Sequence, residues 1–385
     1  MAAPVVRVPV RSLRTDFEEV FADLATRGPV VWVDASKQRF LLVNDIGAVR
    51  EVLVARKGEL VKPRSQALDV GPPRPEPPQP GIPELRRAVT GGLADRDQDG
   101  AHAAREAAAA ETANRQDGES VKLMPLLRRL AIATVVHGAM SSRLDADDVA
   151  RLDAVLRWFD GAPRVVPAGR FNVYSLRRVQ MTTQLAQVAE ALVANADHSR
   201  PSELDAGAGL AGELLLGAVG PLVQTSGWLL YRFATEDAEA ESLLAEWPAV
   251  DRTFAFVREV TRLHPTNPRI TRAAVVDTEV AGERVPAATR VVLNVNAISR
   301  DSEYYENPDR FLPDRWLDGR PNKFSDLAFG LGERRCLGES FAVTALAALL
   351  PALATRWRFE IPFERATASG RRQLSDDLTA RVSLR

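Results

Sequence analysis

The chain has 385 residues, 45% hydrophobic and 26% charged, an ordinary globular balance with length for a large core. A formal net charge of −1 excludes a global pull toward nucleic acid or an anionic membrane. The single cysteine excludes an internal disulfide and any zinc or iron–sulfur site built from several thiols.

The first residues, Met1 to Arg7, lack an apolar core of signal-peptide length. No stretch of about 20 uninterrupted apolar residues occurs, so the expectation is a cytoplasmic protein. Residues 29–33 and 39–43 predict two short strands around a polar turn. Asp45 to Arg56 predicts a helix. Residues 63–83 are proline-rich and predict an irregular loop, either a linker or a cover over a ligand. From Ala101 to about Arg356 the pattern is mainly helical, with breaks near 160–170 and 200–209 and a strand-like run at 270–295. The most apolar segment, Leu214 to Leu230, contains Gly, Pro, Gln, Thr and Ser and reads as a buried helix.

The chemistry concentrates near the C-terminus, in Phe329-Gly330-Leu331-Gly332-Glu333-Arg334-Arg335-Cys336-Leu337-Gly338. Glycines suggest a bent loop whose amides point at the sulfur, and Arg334 suits an anion. One exposed thiolate with amide donors and a nearby cation is what a haem iron and its propionates require. The bland alternative is a structural cysteine in a Gly-rich turn.

The pattern Phe-x-x-Gly-x-Arg-x-Cys-x-Gly, carried by Phe329, Gly332, Arg334, Cys336 and Gly338, resembles the haem-binding loop of the cytochrome P450 family. Glu259-Val260-Thr261-Arg262 resembles that family's Glu-x-x-Arg helix, 77 residues before the cysteine. The resemblance implies a third member of a structural triad, matched here by Arg310 in Pro308-Asp309-Arg310-Phe311. Arg272 matches the family's propionate-binding arginine, and His102 is a further candidate for that contact. The resemblance is clear from about Leu210 to Arg356 and weak before that.

What it implies is a mainly α fold with a small β region, the cytochrome P450 fold, as one domain over residues 1–385. It implies haem b ligated through Cys336 and oxidation of a small organic substrate, free or tethered to a carrier protein. The outcome expected is natural-product tailoring by hydroxylation or oxidative cyclisation. Peroxide-driven oxidation, rearrangement without oxygen insertion and a non-catalytic haem sensor stand as alternatives. An external ferredoxin and ferredoxin reductase are the implied electron donors.

One segment departs from the family. Its central helix usually carries an acid and a threonine over the iron, which organise water for proton delivery. Anchoring on Glu213-Leu-Leu-Leu and Trp228-Leu-Leu-Tyr231 puts Gly220 at the acid and Pro221 at the threonine. A second register would bring Gln224 and Thr225 over the iron. Pro221 lacks an N–H and predicts a kink. By analogy, Ala218, Val219, Leu222 and Val223 would wall a pocket roofed by 65–90 and 158–180, and Thr266 and Asn267 would face the haem edge.

Overall fold

A computed structural model describes residues 2–35, 38–63, 93, 95–113, 115–161, 173–197, 208–245, 250–319, 326–362, 374 and 376–385. The proline-rich run beyond Pro63 and the roofing segments 65–90 and 162–172 lie outside the described residues. The contacts divide the chain into two compact units, the first Met1–Pro80, Arg258–Cys336 and Thr367–Gln373, the second Gly81–Val257, Leu337–Ala366 and Leu374–Arg385.

The first unit holds the sheet. Strands β1 (Val5–Arg7), β2 (Val30–Ala35), β3 (Gln38–Val43) and β4 (Leu60–Val61) precede helices in the chain; β6 (Arg269–Ala274) and β9 (Arg290–Asn294) come much later. They order as β1-β2-β3-β9-β6-β4, so the central pair comes from residues about 250 apart in sequence, as in Phe40 opposite Arg290. Val and Leu dominate β2, β3 and β9, and Val31, Val33, Leu41, Leu42, Val292 and Leu293 are fully buried. That is the pattern of strands covered on both faces. Helices α1 (Ser12–Thr15) and α2 (Phe17–Thr26) pack through Leu13, Phe21 and Leu24 against Phe40 and Leu42. Helix α3 (Gly47–Arg50) runs on into a π-turn, Glu51–Ala55, so the expected helix from Asp45 is two-part. The hairpin of β7 (Thr278–Val280) and β8 (Glu283–Val285) forms its own small sheet.

The second unit is helical. Its members are α4 (Asp97–Thr112), α5 (Leu123–Ala133) extended by a π-turn at Thr134–Ala139, α6 (Ala146–Gly161), α7 (Val173–Ala194), α8 (Ala208–Thr235), α9 (Asp237–Ala245) and α12 (Glu339–Ala354). Helix α10 (Val250–Leu263) begins in this unit and ends in the first, where the short α11 (Val295–Ile298) also lies. A three-stranded sheet, β10-β11-β5, joins β5 (Ser120–Lys122) to β10 (Trp357–Glu360) and β11 (Thr379–Leu384). Helix α8 is long and apolar enough to cross a membrane by length and composition, yet 67% of its most apolar window is buried in the protein, as a core helix would be. It runs unbroken through Pro221, whose missing N–H leaves the Gly217 carbonyl without its helical donor.

Two glycines set how closely α4 approaches the π-turn. A methyl on Gly138 would stand 2.7 Å from the Gly100 Cα and 3.0 Å from its nitrogen; one on Gly100 would stand 2.5 Å from the Phe341 ring. Backbone atoms cannot step aside as a side chain can. Gly138→Ala is therefore expected to cost about 1–3 kcal/mol despite alanine's better helix propensity. Thermal or urea unfolding checks this, and an unchanged or raised midpoint would contradict it.

Candidate haem-thiolate site

Cys336 sits in the first unit, exposed, at the end of a tight loop. Gly330 and Gly332 adopt φ of +74° and +71°, which glycine alone takes without strain. A 3-10 turn, Gly332–Arg334, bends the chain. The Gly330 amide donates to the Leu327 carbonyl at 2.9 Å, and the Cys336 amide donates to the Phe329 carbonyl at 2.8 Å. The cysteine's own N–H thus closes the loop rather than facing the sulfur. Gly332 matters for a second reason: a Cβ there would stand 2.7 Å from the Leu53 carbonyl oxygen, in the π-turn after α3. Lys57, just beyond that turn, pairs with Glu333. The Phe329 ring lies under the Arg258 guanidinium, 5.4 Å from its centroid, and Arg258 pairs with Asp326 at 3.5 Å.

Glu259 and Arg262, on α10, are 0% and 1% exposed and form a two-pronged ion pair at 2.7 and 2.8 Å. Burial pushes the Glu259 carboxyl up; Arg262, the Leu312 amide and the Trp316 indole more than offset it, and the net direction is down. Arg262 also donates to the carbonyls of Ser299, Pro308 and Arg310. The third side chain of the triad is Arg315, whose Nε lies 3.2 Å from Glu259 Oε1. This corrects the expectation of Arg310, which contributes its main-chain carbonyl and leaves its side chain exposed. The cause is local. Pro308-Asp-Arg-Phe311 and Pro313-Asp-Arg-Trp316 repeat one pattern five residues apart, and only the second lies where the Leu312 amide and Trp316 indole also reach the carboxylate.

Arg272, on β6, is buried, and burial together with the charge of Arg334 presses its pKa down to about 10. Among the described residues its one hydrogen bond is to the Thr271 carbonyl, and no carboxylate answers its charge. A buried guanidinium without an acid is costly unless an anion joins it. Two arginines near enough to repel, in the same unit as an exposed thiol, fit a ligand that carries carboxylates and a thiolate-seeking iron. The residues present therefore suit haem.

The other expected residues scatter. His102 is exposed on α4, with its Nε2 3.2 Å from Glu106 Oε1. Thr266 is half-buried and Asn267 exposed between α10 and β6; Gly338 precedes α12, where its carbonyl accepts from Ala342 at 2.8 Å. On α8, Leu214, Gly217, Ala218 and Pro221 form a half-open stripe at helical spacing, joined by Gly220. Val219, Leu222 and Val223 are instead only 0, 6 and 1% exposed; the helical period turns Val219 and Val223 away from that stripe, whereas Leu222, one turn beyond Ala218, is covered, and of the four proposed wall residues only Ala218 is half-open. Thr225 donates back to the Pro221 carbonyl at 2.9 Å, and Gln224 accepts from the Leu374 amide at 3.1 Å.

Residues 248–373 match the family model for cytochrome P450. Pentalenene oxygenase of Streptomyces avermitilis is 33% identical over 145 residues, 35% of this chain and 32% of that protein. The match thus covers about a third of the relative's length. Among solved structures, CYP175A1 of Thermus thermophillus superposes with a TM-score of 0.76 at 21% identity, covering 98% of this chain and 99% of that one. Cytochrome P450 OleT in complex with arachidonic acid superposes at 0.77 and 14% identity, covering 100% and 99%. The whole chain has the mainly α fold of these proteins, with a small β region. Residues 248–373 are thus similar to the cytochrome P450 family, and the fold is that of these structures.

Proposed function

We propose that the chain is a haem-thiolate monooxygenase of the cytoplasm that oxidises a small, largely apolar molecule in natural-product tailoring. The observation that carries this reading is the exposed Cys336 on its glycine-bent loop, in one unit with the acid-free buried Arg272. Cys336 would ligate the iron of haem b, and Arg272 and Arg334 would hold its propionates as charge-assisted donors. Bound haem supplies oxygen activation, which the thiolate favours by donating electron density. Glu259, Arg262 and Arg315 fix the segment 299–316. Electrons would come from an external ferredoxin and its reductase. The relative named pentalenene oxygenase supports a polycyclic hydrocarbon skeleton as the substrate class.

The test is spectroscopic. Holoprotein reduced under carbon monoxide is expected to show the absorption of a thiolate-ligated haem, and Cys336→Ser to lose it. An imidazole-ligated spectrum in both would sink the assignment.

Pro221 bears on how protons arrive. Neither Gly220 nor Pro221 can relay one, and the Thr225 hydroxyl is tied to a carbonyl. A positioned general acid contributes about 10²–10⁴-fold, so substrate or ordered water would have to supply the proton. Pro221→Thr is then expected to change turnover of the true substrate by no more than about threefold, far below that range. A gain of about 10²-fold in steady-state rate would show that a relay is missing rather than replaced.

A further inference from the structure

Residues 214–231, in α8, contain no charged side chain, and three consecutive polar ones, Gln224, Thr225 and Ser226, are 8, 7 and 1% exposed. Two of the three have no donor to offer to a ligand. The Thr225 hydroxyl donates to the Pro221 carbonyl, and the Ser226 hydroxyl is sealed from solvent without a partner among the described residues. Gln224 differs. The Leu374 amide, in the same unit, donates to one end of its side chain. A backbone N–H can only donate, so that end is Oε1 and the other end is the amide nitrogen. Nε2 makes no hydrogen bond among the described residues, on a side chain more than nine-tenths buried. Gln224 lies three residues beyond Pro221 and seven beyond Gly217, at the buried end of the face that carries the half-open stripe of Leu214, Gly217, Ala218 and Pro221.

We propose that Gln224 is a specificity-determining residue: an amide donor, locked from behind by Leu374, that recognises a neutral carbonyl or hydroxyl oxygen on an otherwise apolar ligand lying along α8. This rests on the reading of the chain as an enzyme for small molecules. Nε2 offers two N–H groups and no lone pair, so the ligand must bring the acceptor. With no charged side chain on this stretch, a neutral oxygen is matched and a carboxylate is not. Locking matters because a free glutamine loses rotamer entropy when it binds, whereas one held at Oε1 has lost it already.

The experiment is an optical titration of the ferric holoprotein with two matched pairs, decalone with decalin and menthone with p-menthane. Ratios are compared between variants, which cancels the hydrocarbons' greater hydrophobicity. In the wild type the ratio of hydrocarbon to ketone Kd is expected to exceed that of Gln224→Leu by about tenfold, the worth of one well-placed hydrogen bond. Gln224→Glu, titrated at about pH 9 so that the carboxyl is ionised, keeps an oxygen for Leu374 but presents no donor. It is expected to retain hydrogen-exchange protection of the Leu374 amide and still lose the ketone preference. Equal ratios in wild type and Gln224→Leu would overturn the proposal, as would a preference kept by Gln224→Glu. Silence toward all four probes, with the thiolate-ligated spectrum intact, would overturn the small-molecule reading and this inference with it.

Discussion

Glu259→Ala is expected to destabilise the protein by about 3–5 kcal/mol, a large share of a typical folding free energy. The carboxylate receives two donors from Arg262, the Leu312 amide at 2.9 Å, the Trp316 indole at 2.9 Å and Arg315 at 3.2 Å. Removing it leaves the Arg262 guanidinium buried with only carbonyls and the Tyr305 ring for company. Urea unfolding measures the loss, and haem content after purification reports its consequence. Arg310→Ala discriminates the two candidate triads. Its side chain is exposed and only its carbonyl is engaged, so the change should stay within about 0.5 kcal/mol. Arg315→Ala removes a half-buried donor to a buried carboxylate and should cost about 1–3 kcal/mol. The reverse order would return Arg310 to the triad. The pH dependence has a definite sign. Because the folded Glu259 carboxyl titrates below its unfolded value, its contribution is complete above the ordinary carboxylate range. It is lost as pH falls through the lower, folded value. Glu259→Gln should flatten that acid limb.

Much of the fold was readable because its signals are short-range. The strands at Val30–Ala35 and Gln38–Val43 and the long apolar helix follow from periodicity alone. The cysteine loop follows from five fixed positions in ten. What could not be read is what distant segments decide. Arg310 and Arg315 carry the same flanking pattern, and only the chain's return past Glu259 distinguishes them. Strand β5 is three residues long and exists by pairing with Thr379–Arg381. The open stripe of α8 is built partly from glycine and proline, residues that carry no hydrophobic-period signal. Gln224 acquires its fixed orientation from an amide 150 residues away.

Arg272→Met should move two measurements in opposite directions. Without haem, the wild-type protein keeps a guanidinium buried beside a second arginine, and that charge receives only a carbonyl. Methionine fills similar volume without the charge, so the apoprotein is expected to gain about 1–4 kcal/mol in urea unfolding, as when buried ions give way to apolar packing. The holoprotein should lose. A charge-assisted hydrogen bond is worth about 1.5–3 kcal/mol, so haem should pass to an excess of a scavenging protein roughly 10- to 100-fold faster. The alkaline behaviour follows from the same burial. With its folded pKa near 10 and its unfolded value higher, Arg272 penalises the native state fully below pH 10. The penalty eases as pH rises above that, because the unfolded chain then binds more protons. Arg272→Lys retains a charge but loses the planar fork, and should keep the apoprotein's instability while recovering only part of haem retention. If Arg272→Met instead lowers the stability of apoprotein and holoprotein alike, the guanidinium is a structural strut and the anion site lies elsewhere. If apoprotein stability rises and haem retention falls, the same buried charge that weakens the empty fold is what holds its cofactor.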